Sequence, residues 1–176
     1  MSARHAGDPN RDGTSVLAAI GARVEVARRL ELGSAEAVLG SVVSSAAALF
    51  GAEASSIALH DPDRNVLRFV VAAGAHGAGV IGLEIPPDHG LAGYVFSTGQ
   101  GLAIADVVND PRFGKAFARS TGYVPRSIVA VPLSDDRGTI GVLEVLDKKD
   151  SETFSLRDVE LAGVFARQAA VAIRAS

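Results

Sequence analysis

Eight residues between positions 94 and 127 carry the side-chain types that a small-molecule site requires: Tyr94, Asp106, Arg112, Phe113, Thr121, Tyr123, Arg126 and Ser127. Aromatic rings beside one or two charged groups both bury a ligand and orient it. Arg126 or Arg112 would pair an anionic group, Asp106 would accept from a donor, and Tyr94, Phe113 and Tyr123 would supply ring contacts. Each residue also has an ordinary use. Asp106 can cap a turn, Arg112 can sit in solvent, Tyr123 can cover a loop and Ser127 can open a strand.

Other chemistries find less support. Gly77-Ala78-Gly79-Val80-Ile81-Gly82 has the spacing of a dinucleotide fingerprint. That fingerprint needs a following helix to meet the pyrophosphate, and Leu83-Glu84-Ile85-Pro86-Pro87 reads as extended. Asp61, Asp63 and Asn65 open like a calcium loop, but Val66 stands where glycine is needed and Ala72 where a bidentate Glu is needed. The four histidines, His5, His60, His76 and His89, show no metal-ligand spacing, and no G-x-S-x-G elbow occurs. With no cysteine, the chain has no thiol nucleophile, disulfide, Cys-ligated zinc or iron–sulfur site. No poised nucleophile, base or metal is named, so the expectation is a protein without catalytic activity.

Charge narrows the partners. Against 20 Asp and Glu stand 17 Lys and Arg, a formal charge of -3, which leaves no basic stripe for nucleic acid. The uncharged run from Ala37 to Ala52 carries Ser41, Ser44 and Ser45 and falls short of the roughly 20 apolar residues a spanning helix needs. Residues 1–13 are polar with no apolar core of a signal peptide. A cytoplasmic protein with a disordered tail over 1–13 and one domain over 14–176 is expected.

The elements that would hold the candidate site follow from periodicity. Leu17, Ile20, Val24 and Ala27 mark a leading helix over 14–32 with a narrow apolar seam suited to a helix–helix contact. A second helix after Ser34 is expected to bury Val38, Leu39, Val42, Val43, Ala46, Leu49 and Phe50 until Gly51 stops it. Strands over 54–60 and 65–73 flank the turn Asp61-Pro62-Asp63-Arg64, and strands over 127–133 and 139–147 form a second hairpin. Between the hairpins lie a glycine-rich stretch, a short helix over 90–98, a strand over 102–105 and a short helix capped by Asp110 with Pro111 in its first turn, running to Ser120. The last helix starts at Ser155 in a capping box with Asp158, with Leu161, Val164, Phe165, Ala169, Ala172 and Ile173 on its apolar face. Helices at both chain ends with antiparallel strands between them give an α+β fold.

The run Ile85-Pro86, Gly90-Leu91-Ala92-Gly93-Tyr94-Val95, Thr98-Gly99, Asp106-Val107, Asp110-Pro111-Arg112-Phe113, Val131-Pro132-Leu133, Ile140-Gly141-Val142-Leu143, Phe154-Ser155 and Asp158 resembles a GAF domain over about residues 34–174. The resemblance implies a six-stranded antiparallel sheet, with terminal helices on one face and a pocket roofed by short helices and loops on the other. It further implies a regulatory module that binds a small molecule and acts through a signalling partner protein, often as a homodimer joined by terminal helices. A ligand-free dimerisation or docking module is the alternative.

Departures from the family's subgroups limit the ligand. Covalent bilin attachment and methionine-sulfoxide reduction depend on cysteines that this chain lacks. Haem-binding relatives place a histidine where this chain reads Ser120-Thr121-Gly122-Tyr123-Val124-Pro125, which disfavours haem. Of the cyclic-nucleotide pattern, Lys148, Phe154 and Asp158 match, while Asp147 replaces Asn and Val159 replaces Glu. That motif is incomplete, and a cyclic nucleotide stays an open option, as does the identity of the cofactor or ligand.

Overall fold

The computed structural model describes residues 33–74, 77–150 and 153–175. Nearly all of them belong to one compact unit, Ala35–Ser176. The expected tail over 1–13 and leading helix over 14–32 lie outside the described residues.

Six strands form one antiparallel sheet: β1 (Ala52–Asp61), β2 (Val66–Gly74), β3 (Glu84–Ile85), β4 (Leu102–Ile104), β5 (Ile128–Asp135) and β6 (Gly138–Lys148). Their spatial order is β3-β2-β1-β6-β5-β4. Helices α1 (33–50) and α4 (Leu156–Ala175) cover one face; α2 (Gly90–Thr98) and α3 (Lys115–Ser120) cover the other. This is the α+β architecture expected from the sequence. Because successive strand side chains point to opposite faces, Leu143 and Val145 of β6 enter the α1/α4 core while Val142 and Leu146 face α2.

Local irregularities shape the sheet. The β1/β2 register shifts between Ile57 and Ala58, leaving Val70 without a partner, so Val70 and Val71 both pack toward the α1/α4 core. On β6, a Cβ added at Gly141 would lie 2.3 Å from the Ala58 carbonyl oxygen of β1. Gly141→Ala is therefore expected to cost about 1–3 kcal/mol through overpacking, measured as a lowered urea midpoint.

Helix α1 buries a narrower face than expected. Leu39, Val43, Ala46 and Phe50 enter the core at three- and four-residue steps, but Val38 is 43% and Leu49 is 56% exposed. At about 100° per residue those two lie roughly a quarter turn off the buried seam. Gly51 ends the helix in a left-handed conformation, its N–H donating to the Ala48 carbonyl. The helix has a mean hydropathy of 1.4 and the length to cross a membrane, yet its seam is part of the domain core.

Helix α4 lies on the sheet through Ala162, Ala166, Ala169 and Ala170. Small side chains bring the helix close, which turns Leu161 and Val164 outward, contrary to the expected apolar face. Phe165 and Ile173 pack at the margin of the core. The expected capping box is present: Ser155 N–H donates to Asp158 Oδ2 at 2.7 Å, and Asp158 N–H donates to Ser155 Oγ at 3.3 Å. Lys148 Nζ also donates to Asp158 Oδ2 at 2.8 Å. Burial pushes the Asp158 carboxyl up, but Lys148 and the Ser155 amide outweigh it and hold the group below its ordinary range. A depressed carboxyl stabilises above its unfolded pKa and loses that effect as pH falls through the depressed value. Asp158→Ala should therefore cost about 1–2 kcal/mol at neutral pH and less in acid, read from urea unfolding at both.

One expected element forms differently. Pro111 and Arg112 form a turn, and α3 begins only at Lys115. The Asp110 carboxylate does not cap a helix because Arg112 occupies it: Oδ1 accepts the Arg112 N–H and Nε, each at 2.9 Å, and Oδ2 accepts Nη2 at 2.7 Å.

Candidate small-molecule cavity

The sheet face opposite α1 and α4 is not fully closed by side chains. Between it and α2, α3 and their loops lies an open-mouthed cavity. Its floor is made by Ala54 and Ser56 of β1, Phe69 and Ala72 of β2, and Glu144 and Leu146 of β6. Leu91 of α2, Phe117 and Ala118 of α3, and Phe113, Thr121 and Tyr123 from the connecting segments form the roof and walls. A concave, mostly apolar space with a few convergent polar groups is the general form of a small-molecule site.

The charged group in that floor is Glu144. Strand register sets it opposite Ser56, whose Oγ donates to Glu144 Oε2 at 3.3 Å. The Ser55 hydroxyl binds the Glu144 backbone carbonyl at 2.9 Å, fixing the strand rather than the side chain. Glu144 Oε1 has no donor among the described residues. Protein surrounds the side chain, and burial raises its carboxyl to about 7 against a pull downward from Ser56. The residue is partly exposed and lines the cavity.

The wall carrying Tyr123 is tied to the sheet by Asp147. This residue is 4% exposed and sits at φ 51°, in the left-handed region. Its Oδ1 accepts the backbone N–H groups of Arg126 and Ser127, both at 2.8 Å, and its Oδ2 accepts the Tyr123 hydroxyl. Burial first, then the hydrogen bond to Asp147, push the Tyr123 phenol well above its ordinary range, so it stays a protonated donor. Asp147, a departure from the cyclic-nucleotide pattern, is thus a structural anchor.

The structure distributes the eight residues singled out in the sequence. Phe113, Thr121 and Tyr123 line the cavity, whereas Tyr94, Asp106, Arg112, Arg126 and Ser127 do not. Arg112 is held by Asp110 and stacks over the Tyr94 ring at 4.6 Å. Asp106 accepts from Asn109 Nδ2 at 2.7 Å, and Ser127 is buried against Asp147. Arg126 is exposed and contributes its backbone amide to Asp147. Glu144 and Ser56 are cavity residues that loop-centred reading passes over. The signal for Glu144 is a lone acid at the cavity-side position of an apolar strand, between Val142 and Leu146. Among the described residues, no group of three or more His, Cys, Asp or Glu is placed to hold a metal ion.

A six-stranded antiparallel sheet with helices on one face and a roofed cavity on the other is the architecture these elements define. The chain belongs to the GAF domain family, whose model matches residues 34–173. A GAF domain from a phosphoenolpyruvate-protein phosphotransferase of Coxiella burnetii has a similar fold, with TM-score 0.72 and 19% identity over 80% of this chain and 83% of that one. A methyl-accepting chemotaxis protein segment aligns with TM-score 0.69 and 26% identity, covering 80% of this chain and 88% of the segment. The probable 3',5'-cyclic phosphodiesterase pde-5 of Caenorhabditis elegans is 36% identical over 77 residues, 44% of this chain and 10% of that protein. This chain therefore spans about a tenth of the length of the curated relatives it matches.

Proposed function

We propose that this GAF domain is a non-catalytic sensor that binds a small molecule in the cavity and passes the change to a partner protein in signal transduction. The observation that carries the reading is the cavity itself: an apolar, aromatic-walled space with a carboxyl in its floor whose Oε1 meets no protein donor. A binding role explains why a buried strand carries a carboxyl that stability alone disfavours. The phosphotransferase and chemotaxis proteins named above support a regulatory role, since their domains share the fold.

Output through a second copy of this chain is supported by α4. Leu161, Val164 and Val171 are 40%, 42% and 63% exposed, on the side away from the alanine seam. Glu160 and Arg167 flank that row. A two-fold pairing centred near Val164 would set Glu160 of one copy against Arg167 of the other, as a self-complementary interface requires. A homodimer is the expected species.

Native mass spectrometry tests both parts together. The expected spectrum is a dimer that retains a defined small-molecule mass or gains one on screening. A dimer that binds nothing across a broad metabolite screen would overturn the sensor and favour a docking module; a monomer at micromolar concentration would overturn the pairing.

A further inference from the structure

The charge of the cavity wall points to the chemistry of its ligand. Glu144 lines the cavity, and among the described residues no lysine or arginine does. The cations adjacent in sequence to lining residues are engaged or outside: Arg112 is locked to Asp110, and Arg68, Lys115, Arg119 and Arg126 are exposed. Among the described residues, His89 is the remaining ionisable side chain besides Tyr123 at the lining, and it is exposed. An anion placed on the floor would meet a carboxyl group and no cation within the enclosure. A cation or N–H donor would instead complete the free valence of Oε1, with Phe69, Phe113 and Phe117 around its body.

We propose that the cavity takes a small ligand with a flat or apolar body and a cationic or N–H donor group, which the Glu144 carboxylate holds through Oε1. The proposal rests on the cavity being a binding site. It runs against the anionic partner that Arg126 and Arg112 suggest in the sequence, and against ligands recognised through a phosphate. Ser56 holds Oε2, which leaves Oε1 available to accept from the ligand.

Two nearly isosteric probes and a neutral one separate the possibilities. Benzamidine carries an amidinium that can donate to a carboxylate, benzoate carries the opposite charge on the same ring, and toluene is an uncharged apolar body with no hydrogen-bond donor. By isothermal calorimetry at pH 8, benzamidine is expected to bind about tenfold or more tightly than benzoate. Glu144→Gln should remove at least about tenfold of the benzamidine affinity while toluene affinity stays within about threefold. Retained toluene binding also shows that the variant is folded. If benzoate matches benzamidine, or Glu144→Gln leaves benzamidine unchanged, the donor-ligand proposal is wrong while the cavity reading stands. If none of the three binds, the cavity reading itself fails and the proposal falls with it.

Discussion

Glu144→Gln is expected to stabilise the ligand-free protein by on the order of 3 kcal/mol at pH 8 and by little at pH 4.5. The carboxyl is raised from 4.5 to about 7 by burial. A group raised on folding contributes its full stability below the unfolded pKa, and that contribution is lost as pH rises through the folded value. Wild-type stability should therefore decline between about pH 4.5 and 7, and the neutral amide should abolish that decline. Urea unfolding of both proteins at the two pH values measures the difference. An equal difference at both would show that the carboxyl is not desolvated. The same ionisation makes binding of a cationic probe weaken by roughly tenfold per pH unit below about pH 7, since the proton must leave first.

Asp147→Ala should cost about 3–5 kcal/mol, the largest single loss expected in the domain. The substitution removes the acceptor for two backbone amides and for the Tyr123 hydroxyl in a site that is 4% exposed. It also places alanine at φ 51°, where a side chain is strained. Asp147→Asn should cost only about 1 kcal/mol, because its oxygen can still accept from the amides and asparagine tolerates the left-handed region. Since Asp147 holds the Tyr123 wall, the alanine variant should also lose probe binding. Equilibrium unfolding that shows equal, small losses for both variants would contradict the anchor.

The strands and the last capping box were legible because each rests on local signals. The apolar runs of β5 and β6, the Asp61–Arg64 turn and the Ser155–Asp158 spacing are properties of neighbouring residues. The depth of helix burial was not. Whether Leu161 or Ala162 faces the sheet depends on how closely α4 approaches β5, which the alanine seam decides in three dimensions. Asp110 shows the same limit, as its capping spacing is overridden by a guanidinium two residues away.

The site was legible in its walls and hidden in its floor. Phe113, Thr121 and Tyr123 lie on the roofing segments that a polar, aromatic-rich stretch marks out. Glu144 becomes meaningful only when β6 is paired with β1 and the cavity-side face is known to be enclosed. A carboxyl at that position of an isolated strand reads as solvent-facing, because antiparallel strands commonly leave one face in water.

Titration of the isotope-labelled protein with indole, followed by amide chemical shifts, tests the central claim most directly. Binding in the cavity should move amides of the floor and roof, Ser56, Ala72, Leu91, Phe117, Thr121 and Glu144, as one saturable set. Shifts confined to the outward faces of α1 and α4, or no saturable shifts at all, would contradict a GAF cavity that takes a small molecule.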